Sequence, residues 1–326
     1  MLSKNEWDPL LSVIVGIADD ARIPLADPSL RLVNYADVSK FYNIPSMGLY
    51  PEQVINEANE DLTKLSDFLR SLDVTVHRPD TTVKPSYYNY CPRDSVLVHD
   101  DRILATPMPL RSRKDEYEAL LPALMQHGEV MIAKFPRNSD LYNSNCLGNP
   151  DVLALNETEP AFDAANVLRS NDDLFYLVSN SGNKRGAELL QMTHPDKKVH
   201  LIEGVYSYMH LDSTIALLRE GLMLLNPSRI KSVDQLPEVL RNWDVIWAPE
   251  PIDIGHYPGY CNASTWVSVN LFSVTPELAI VEEHQTNLRD SLEAKGIQVK
   301  MLPMRHARTL GGCFHCVTLD LVREHK

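Results

Sequence analysis

A step from helix to strand recurs five times along the chain, and it restricts the fold more than any single motif. From Pro51 to Leu72 the apolar residues Val54, Ile55, Ala58, Leu62, Leu65, Leu69 and Leu72 are spaced three and four apart, which gathers them on one face of an amphipathic helix. A short strand-like run, Val74–Pro79, follows at once. The same step recurs at Leu120–Met125 before Val130, at Leu236–Leu240 before Asp244, and at Leu288–Lys295 before Ile297, where Gly296 is a helix stop. A fainter fifth instance is Arg185–Met192 before Val199.

Polar turn residues also divide two apolar pairs, Ser95–His99 from Ile103–Pro107 and Ser213–Leu218 from Leu222–Leu225. Five steps at intervals of roughly 45 to 70 residues suggest a strand-strand-helix-strand module repeated round one propeller-like domain. A doubly wound open sheet alternates helices and strands in the same way, and on pattern alone it is the better reading. No low-complexity linker interrupts the chain. The polar, Asn-rich stretch Pro136–Pro150 reads as an active-site loop.

The 326 residues carry 31 Lys and Arg against 44 Asp and Glu, a formal charge of −13. With no clustered positive charge, nucleic acid is excluded as a partner, whereas a small cation is attracted. No apolar stretch reaches the ~18 residues that span a bilayer, and the first residues lack the zones of a signal or transit peptide. Five cysteines, an odd number, fit reduced thiols. We therefore expect a cytoplasmic protein without a membrane partner, whose sequons at Asn156 and Asn262 stay unglycosylated. The phosphate-binding glycine motifs, H-E-x-x-H and G-x-S-x-G are all absent, so nucleotide, zincin and serine-hydrolase readings have no local support.

The densest chemistry lies in Arg305–Thr318. Cys313 and Cys316 form a C-x-x-C, which reads as a redox pair, half of a zinc site, or a nucleophile beside Gly311 and Gly312. A cysteine beside glycines is more often a small packed hydrophobe. His210 and Asp212 stand two apart in a strand-like run, on one face, although a hydrogen-bonded strand histidine is the commoner case. Asp163 and Asp94 each sit among apolar or proline residues, as turn caps or as buried anions awaiting a cation. One thiol, one imidazole and several carboxylates make a coherent kit for attack on a guanidinium carbon.

In order along the chain, these segments resemble the amidinotransferase family. The likeness covers almost the whole length: Asn5–Leu10 with Val13–Gly16, Val74–Asp80, Pro92–Asp94, Arg111–Arg113 with Glu116 and Tyr117, Glu159–Ala165, Met209–Asp212, Leu225–Pro227, and Arg305–Ala307 with Leu310–Cys316. The resemblance implies a five-bladed α/β propeller, the pentein fold, with residues 1–326 as a single catalytic domain. It implies ping-pong transfer of the amidino group of L-arginine to a primary amine, with release of ornithine. Cys316 matches the family nucleophile, His210 the general acid/base and Asp163 its orienting carboxylate. Asp94 and Asp212 match the clamp on the guanidinium nitrogens, Arg229 a carboxylate anchor, Ser264 a serine near the thiol, and Met209 a further substrate-binding position. The resemblance implies no cofactor and no metal, small-molecule partners only, a homodimer, and a place in specialised-metabolite biosynthesis.

Three departures qualify it. The family commonly has Gly where this chain has Cys313, so a second thiol stands near the nucleophile, tolerated or able to form a disulfide with Cys316. Glycine-specific members have Asn-Pro before Met-His, and this chain has Ser207 and Tyr208 there, which puts glycine as acceptor in doubt. No presequence precedes the first motif, which fits a bacterial or cytosolic setting. The alternative on the same fold is an arginine hydrolase, with water in place of the amine; the alternative of another class is a redox or binding module built on Cys313 and Cys316.

Overall fold

The computed structural model describes residues 2–35, 44–149 and 151–325. Strand β1 (Leu10–Val15), a side pair of β2 (Arg22–Ile23) and β3 (Gly48–Leu49), helix α1 (Glu52–Arg70) and strand β4 (Thr75–His77) come first. A second module comprises β5 (Val96–His99), β6 (Arg102–Ala105), α2 (Leu121–Leu124) and β7 (Val130–Ile132). A third comprises β8 (Val167–Ser170), β9 (Asp173–Leu177), α3 (Lys184–Thr193) and β10 (Lys198–Ile202). The fourth has β11 (Ile215–Arg219), β12 (Leu222–Leu225) and β13 (Asp244–Trp247), and the fifth β14 (Phe272–Thr275), β15 (Leu278–Glu282), α4 (Thr286–Glu293) and β16 (Gln298–Leu302). A short helix, α5 (Ala307–Leu310), leads to β17 (Thr318–Arg323), which pairs antiparallel with β1 and completes the first module.

Every module has one plan, an antiparallel hairpin-like pair whose second strand takes a parallel third strand. The five sheets are separate, and side chains join them. Alternate residues of each middle strand belong to different cores. On β9, Leu174 and Tyr176 pack toward module two while Phe175 and Leu177 pack toward module four. On β12, Met223 and Leu225 face module three, and Leu222 and Leu224 face module five. Ile14 on β1 joins module two, whereas Val13 and Val15 share a core with Phe272, Val274 and Ile280 of module five. The last of these contacts closes the circle, and the protein is a five-bladed α/β propeller rather than an open sheet. Burial of a leucine or phenylalanine contributes about 1.5–3 kcal/mol, so the five shared cores, more than the short ladders, hold the ring together.

Two elements differ from their sequence reading. The helix expected at Leu236–Leu240 is a pair of 3-10 turns, Val233–Gln235 and Glu238–Leu240. Pro237 is the reason: its missing N–H and the extended backbone it imposes on Leu236 stop an α-helix. Pro136–Pro150, expected as an active-site loop, contributes side chains to the core between modules one and five rather than an open loop; Pro150 itself lies outside the described residues. Leu141, Tyr142 and Cys146 belong to a core, and the Tyr142 hydroxyl donates to Pro109 O at 2.7 Å.

The first strands of the modules are tied by buried charge. Arg169 on β8 donates to both Glu6 oxygens (2.8 and 2.7 Å), to Asp320 on β17 (2.8 Å) and to Val98 O on β5 (2.7 Å). Arg323 on β17 donates to Asp320 (2.6 Å) and to Ser273 O on β14 (2.9 Å), and Arg93 reaches Asp320 at 2.7 Å. Each charge is paired and hydrogen-bonded, as burial requires. Among the described residues no helix is long and apolar enough to cross a membrane.

Candidate active site

Five modules make one site because each contributes residues from the same place, the turn just before its first strand. Cys316 precedes β17, Asp94 precedes β5, Asp163 precedes β8, His210 and Asp212 precede β11, and Asn270 precedes β14. Most of these turns are short 3-10 segments: Pro92–Asp94, Ala164–Asn166, Leu211–Ser213 and Thr265–Val269. A propeller brings equivalent turns together at one end of its axis, so residues more than 200 positions apart meet.

All of these side chains are buried. His210 Nε2 lies 2.9 Å from Asp163 Oδ2, and its Nδ1 lies 3.7 Å from Asp94 Oδ1. The Cys316 thiol donates to Asp212 Oδ2 at 3.4 Å. Asn270 Oδ1 accepts from the backbone N–H of Cys316 (2.9 Å) and of Cys313 (3.2 Å), and its Nδ2 donates to Asp212 O (3.4 Å). Asp212 Oδ2 is also 2.8 Å from His315 Nδ1. Asp94 Oδ2 accepts from Arg113, which Glu116 holds from the other side (both 2.9 Å). One oxygen of each of Asp94, Asp163 and Asp212 has no hydrogen-bond partner among the described residues. Of these, the oxygens of Asp94 and Asp212 belong to residues that line a cavity, where they suit a ligand rich in N–H groups.

Burial alone would lower the His210 pKa; the charges and hydrogen bonds of Asp94 and Asp163 outweigh it and hold the imidazole well above its ordinary value. The Cys316 thiol is pushed well up by the neighbouring Cys91 thiol, by burial and by the Asp212 anion. Burial raises Asp94, and it pushes Glu116 up to about 7 against the pull of Arg113. Asp212 is lowered, because hydrogen bonding and charge from His315 overcome its burial.

A cavity opens over Cys316 and is lined by His210, Asp212, Met209, Ser264 and Arg229. A second shares His210 and Met209 with it and runs to Asp94, Arg113, Tyr87 and Tyr88. Of the residues singled out in the sequence, Cys316, His210, Asp212, Met209, Ser264, Arg229 and Asp94 line one or other cavity, Asp163 lies behind His210, and Cys313 is buried and lines neither. Arg229 stacks 3.5 Å over the Tyr206 ring and donates to Ser213 and Thr214. None of the described residues of Pro136–Pro150 lines either cavity. Gly312 is required by packing, since a Cβ there would stand 2.6 Å from Cys91 Sγ and 2.7 Å from Cys316 Cβ. No disulfide joins any of the five cysteines, all of which are among the described residues. Asn270, Arg113, His315 and Cys91 have no role in the sequence reading; the signal for Asn270 is its position, before the first strand of the fifth module.

Asp94, His210 and Cys316 each offer a ligand atom within 4.8 Å of the others, so these three residues could hold a metal. The raised His210 pKa favours the imidazolium, which has no nitrogen lone pair to give a metal. The set suits a thiol nucleophile with an acid/base instead.

No family model matches the chain. It is 43% identical, over 98% of its own length and 96% of the other's, to inosamine-phosphate amidinotransferase 1 of Streptomyces griseus. It is 28% identical to the L-arginine:L-lysine amidinotransferase of Pseudomonas savastanoi pv. phaseolicola, over 99% and 94% of the two chains. A solved structure of a Streptomyces griseus inosamine-phosphate amidinotransferase superposes with a TM-score of 0.92 at 40% identity, covering 100% of this chain and 97% of that one. DDAH from Pseudomonas aeruginosa, at 14% identity and a TM-score of 0.63 over 97% and 100% of the chains, shares the pentein fold alone. The chain belongs to the amidinotransferase family.

Proposed function

We propose that the protein moves the amidino group of L-arginine to a primary amine and releases ornithine, with residues 1–326 acting as one catalytic domain. The observation that carries this reading is the thiol–imidazole–carboxylate cluster at Cys316, His210 and Asp163, flanked by the unpartnered oxygens of Asp94 and Asp212. Those two carboxylates would receive the guanidinium N–H groups, and Arg229 the substrate carboxylate. Ser264 and Met209 would line the path of the chain between them. Near the bound cation the Asp212 anion is neutralised, which removes one of the causes that keep Cys316 protonated.

In the first half-reaction the sulfur bonds to the guanidinium carbon and the bond from that carbon to the arginine side-chain nitrogen breaks. His210 gives its proton to the leaving amine and takes the thiol proton, so ornithine departs and an amidino-cysteine remains. The second half runs in reverse with a new amine: it attacks the same carbon, His210 receives its proton, and the thiol is restored. Asp163 orients the imidazole throughout. The names of relatives include inosamine phosphate, glycine and L-lysine, and the higher identity to the inosamine-phosphate enzyme, 43% against 31% and 28%, favours an acceptor larger than glycine.

The test is intact-protein mass spectrometry after incubation with L-arginine and no acceptor, with ornithine measured in the supernatant. We expect one added amidino group on Cys316, one ornithine per chain, and neither in Cys316→Ala. Citrulline and ammonia without an amine would instead make the protein a hydrolase.

A further inference from the structure

His315 takes no part in the chemistry above, yet both of its ring nitrogens face carboxylates. Nδ1 is 2.8 Å from Asp212 Oδ2 and Nε2 is 3.2 Å from Glu6 Oε2, with the ring buried. An ionised carboxylate only accepts, and a neutral imidazole donates from one nitrogen only. The ring therefore satisfies both neighbours only as the imidazolium. Glu6 is fixed in turn by Arg169, with Arg93 3.8 Å away, so this end of the chain of contacts is anchored in the charge cluster between the modules. At the other end Asp212 Oδ2 takes the ring and the Cys316 thiol together, which leaves Oδ1 for a donor arriving through the cavity that Asp212 lines.

We infer that His315 is a positioning residue: anchored on Glu6, its imidazolium fixes the Asp212 carboxylate in the orientation that receives a guanidinium group. The inference rests on the amidino-transfer reading and extends it to a residue outside the cavity. It also explains a buried carboxylate that stays ionised beside a thiol, because its countercharge is built into the fold before any substrate arrives.

Two variants separate orientation from bulk. In His315→Asn the side-chain amide stands near the place of Nδ1 and keeps a donor for Asp212; in His315→Gln it reaches toward Glu6 and leaves Asp212 without one. His315→Gln is expected to raise KM for L-arginine about tenfold or more, the loss of one charge-assisted hydrogen bond, with a smaller change in kcat. His315→Asn is expected to recover most of that affinity. Wild-type affinity in both variants overturns the inference, and so does an equal loss in both, which would mark a packing role. A second readout needs no substrate: the pH midpoint for alkylation of Cys316 by iodoacetamide should move upward in both variants, since both remove the positive charge beside Asp212. An unmoved midpoint overturns the imidazolium. If the wild-type protein forms no adduct with arginine, amidino transfer fails as a reading while the alkylation comparison still decides the role of His315.

Discussion

Cys316 keeps its proton in the free protein, because Cys91, burial and the Asp212 anion all favour the neutral thiol. A raised pKa means a smaller thiolate fraction at neutral pH, so alkylation should be slow at pH 7 and climb to its plateau only above the ordinary thiol range of about 8.5. A guanidinium compound without a leaving amine should shift that profile to lower pH by pairing with Asp212; a profile centred near 8.5 and indifferent to such a ligand would contradict the electrostatics. The residues that meet in the site were legible: Cys316, His210, Asp163, Asp94 and Asp212 stand out once their motifs are seen in order. Their partners were not. Asn270 sits in no motif, and Arg113 was visible only as part of Arg111–Arg113, because a residue whose work is to hold another side chain leaves no local signature. The cysteine expected beside the nucleophile was Cys313, three residues away in sequence, whereas the thiol that most raises its pKa belongs to Cys91.

Each module is an element with a fixed task, to hold one turn at the axis, and Gly312 shows how narrow the tolerance is. Gly312→Ala forces a Cβ against Cys91 Sγ and Cys316 Cβ at distances real contacts do not reach, so the turn that holds the two thiols must shift. A misplacement of about 1 Å can cost ~100-fold in rate, and we expect a kcat loss of that order with the circular dichroism spectrum unchanged; full activity would mean that the turn moves freely. At this scale the helix-strand steps were readable at four of five places because amphipathic spacing survives in a helix that covers a sheet. Module four failed through Pro237. The pairs β8–β9 and β14–β15 went unread, since Leu174–Leu177 and Ala279–Val281 are buried on both faces and show a plain apolar run where alternation was sought.

Over the whole molecule, the decisive feature is the closed circle of five cores with paired charge between the first strands. Pattern alone pointed to an open sheet because nothing local says that module five packs on module one; that contact joins residues some 260 positions apart, such as Val13 and Val274. Asp320 receives Arg93, Arg169 and Arg323 together, and Asp320→Ala leaves three buried guanidinium groups short of a partner. We expect a loss of about 3–5 kcal/mol in urea unfolding; a change under 1 kcal/mol would show the cluster to be replaceable by water. Because β17 completes the module that β1 began, the order of synthesis acquires a chemical meaning. Cys316 and β17 come late in the chain, and the first module cannot close until residues 318–323 have been made. A nascent chain that stalls earlier holds His210 and the carboxylates of Asp94, Asp163 and Asp212 without the Cys316 turn, so the site exists only once the ring is whole.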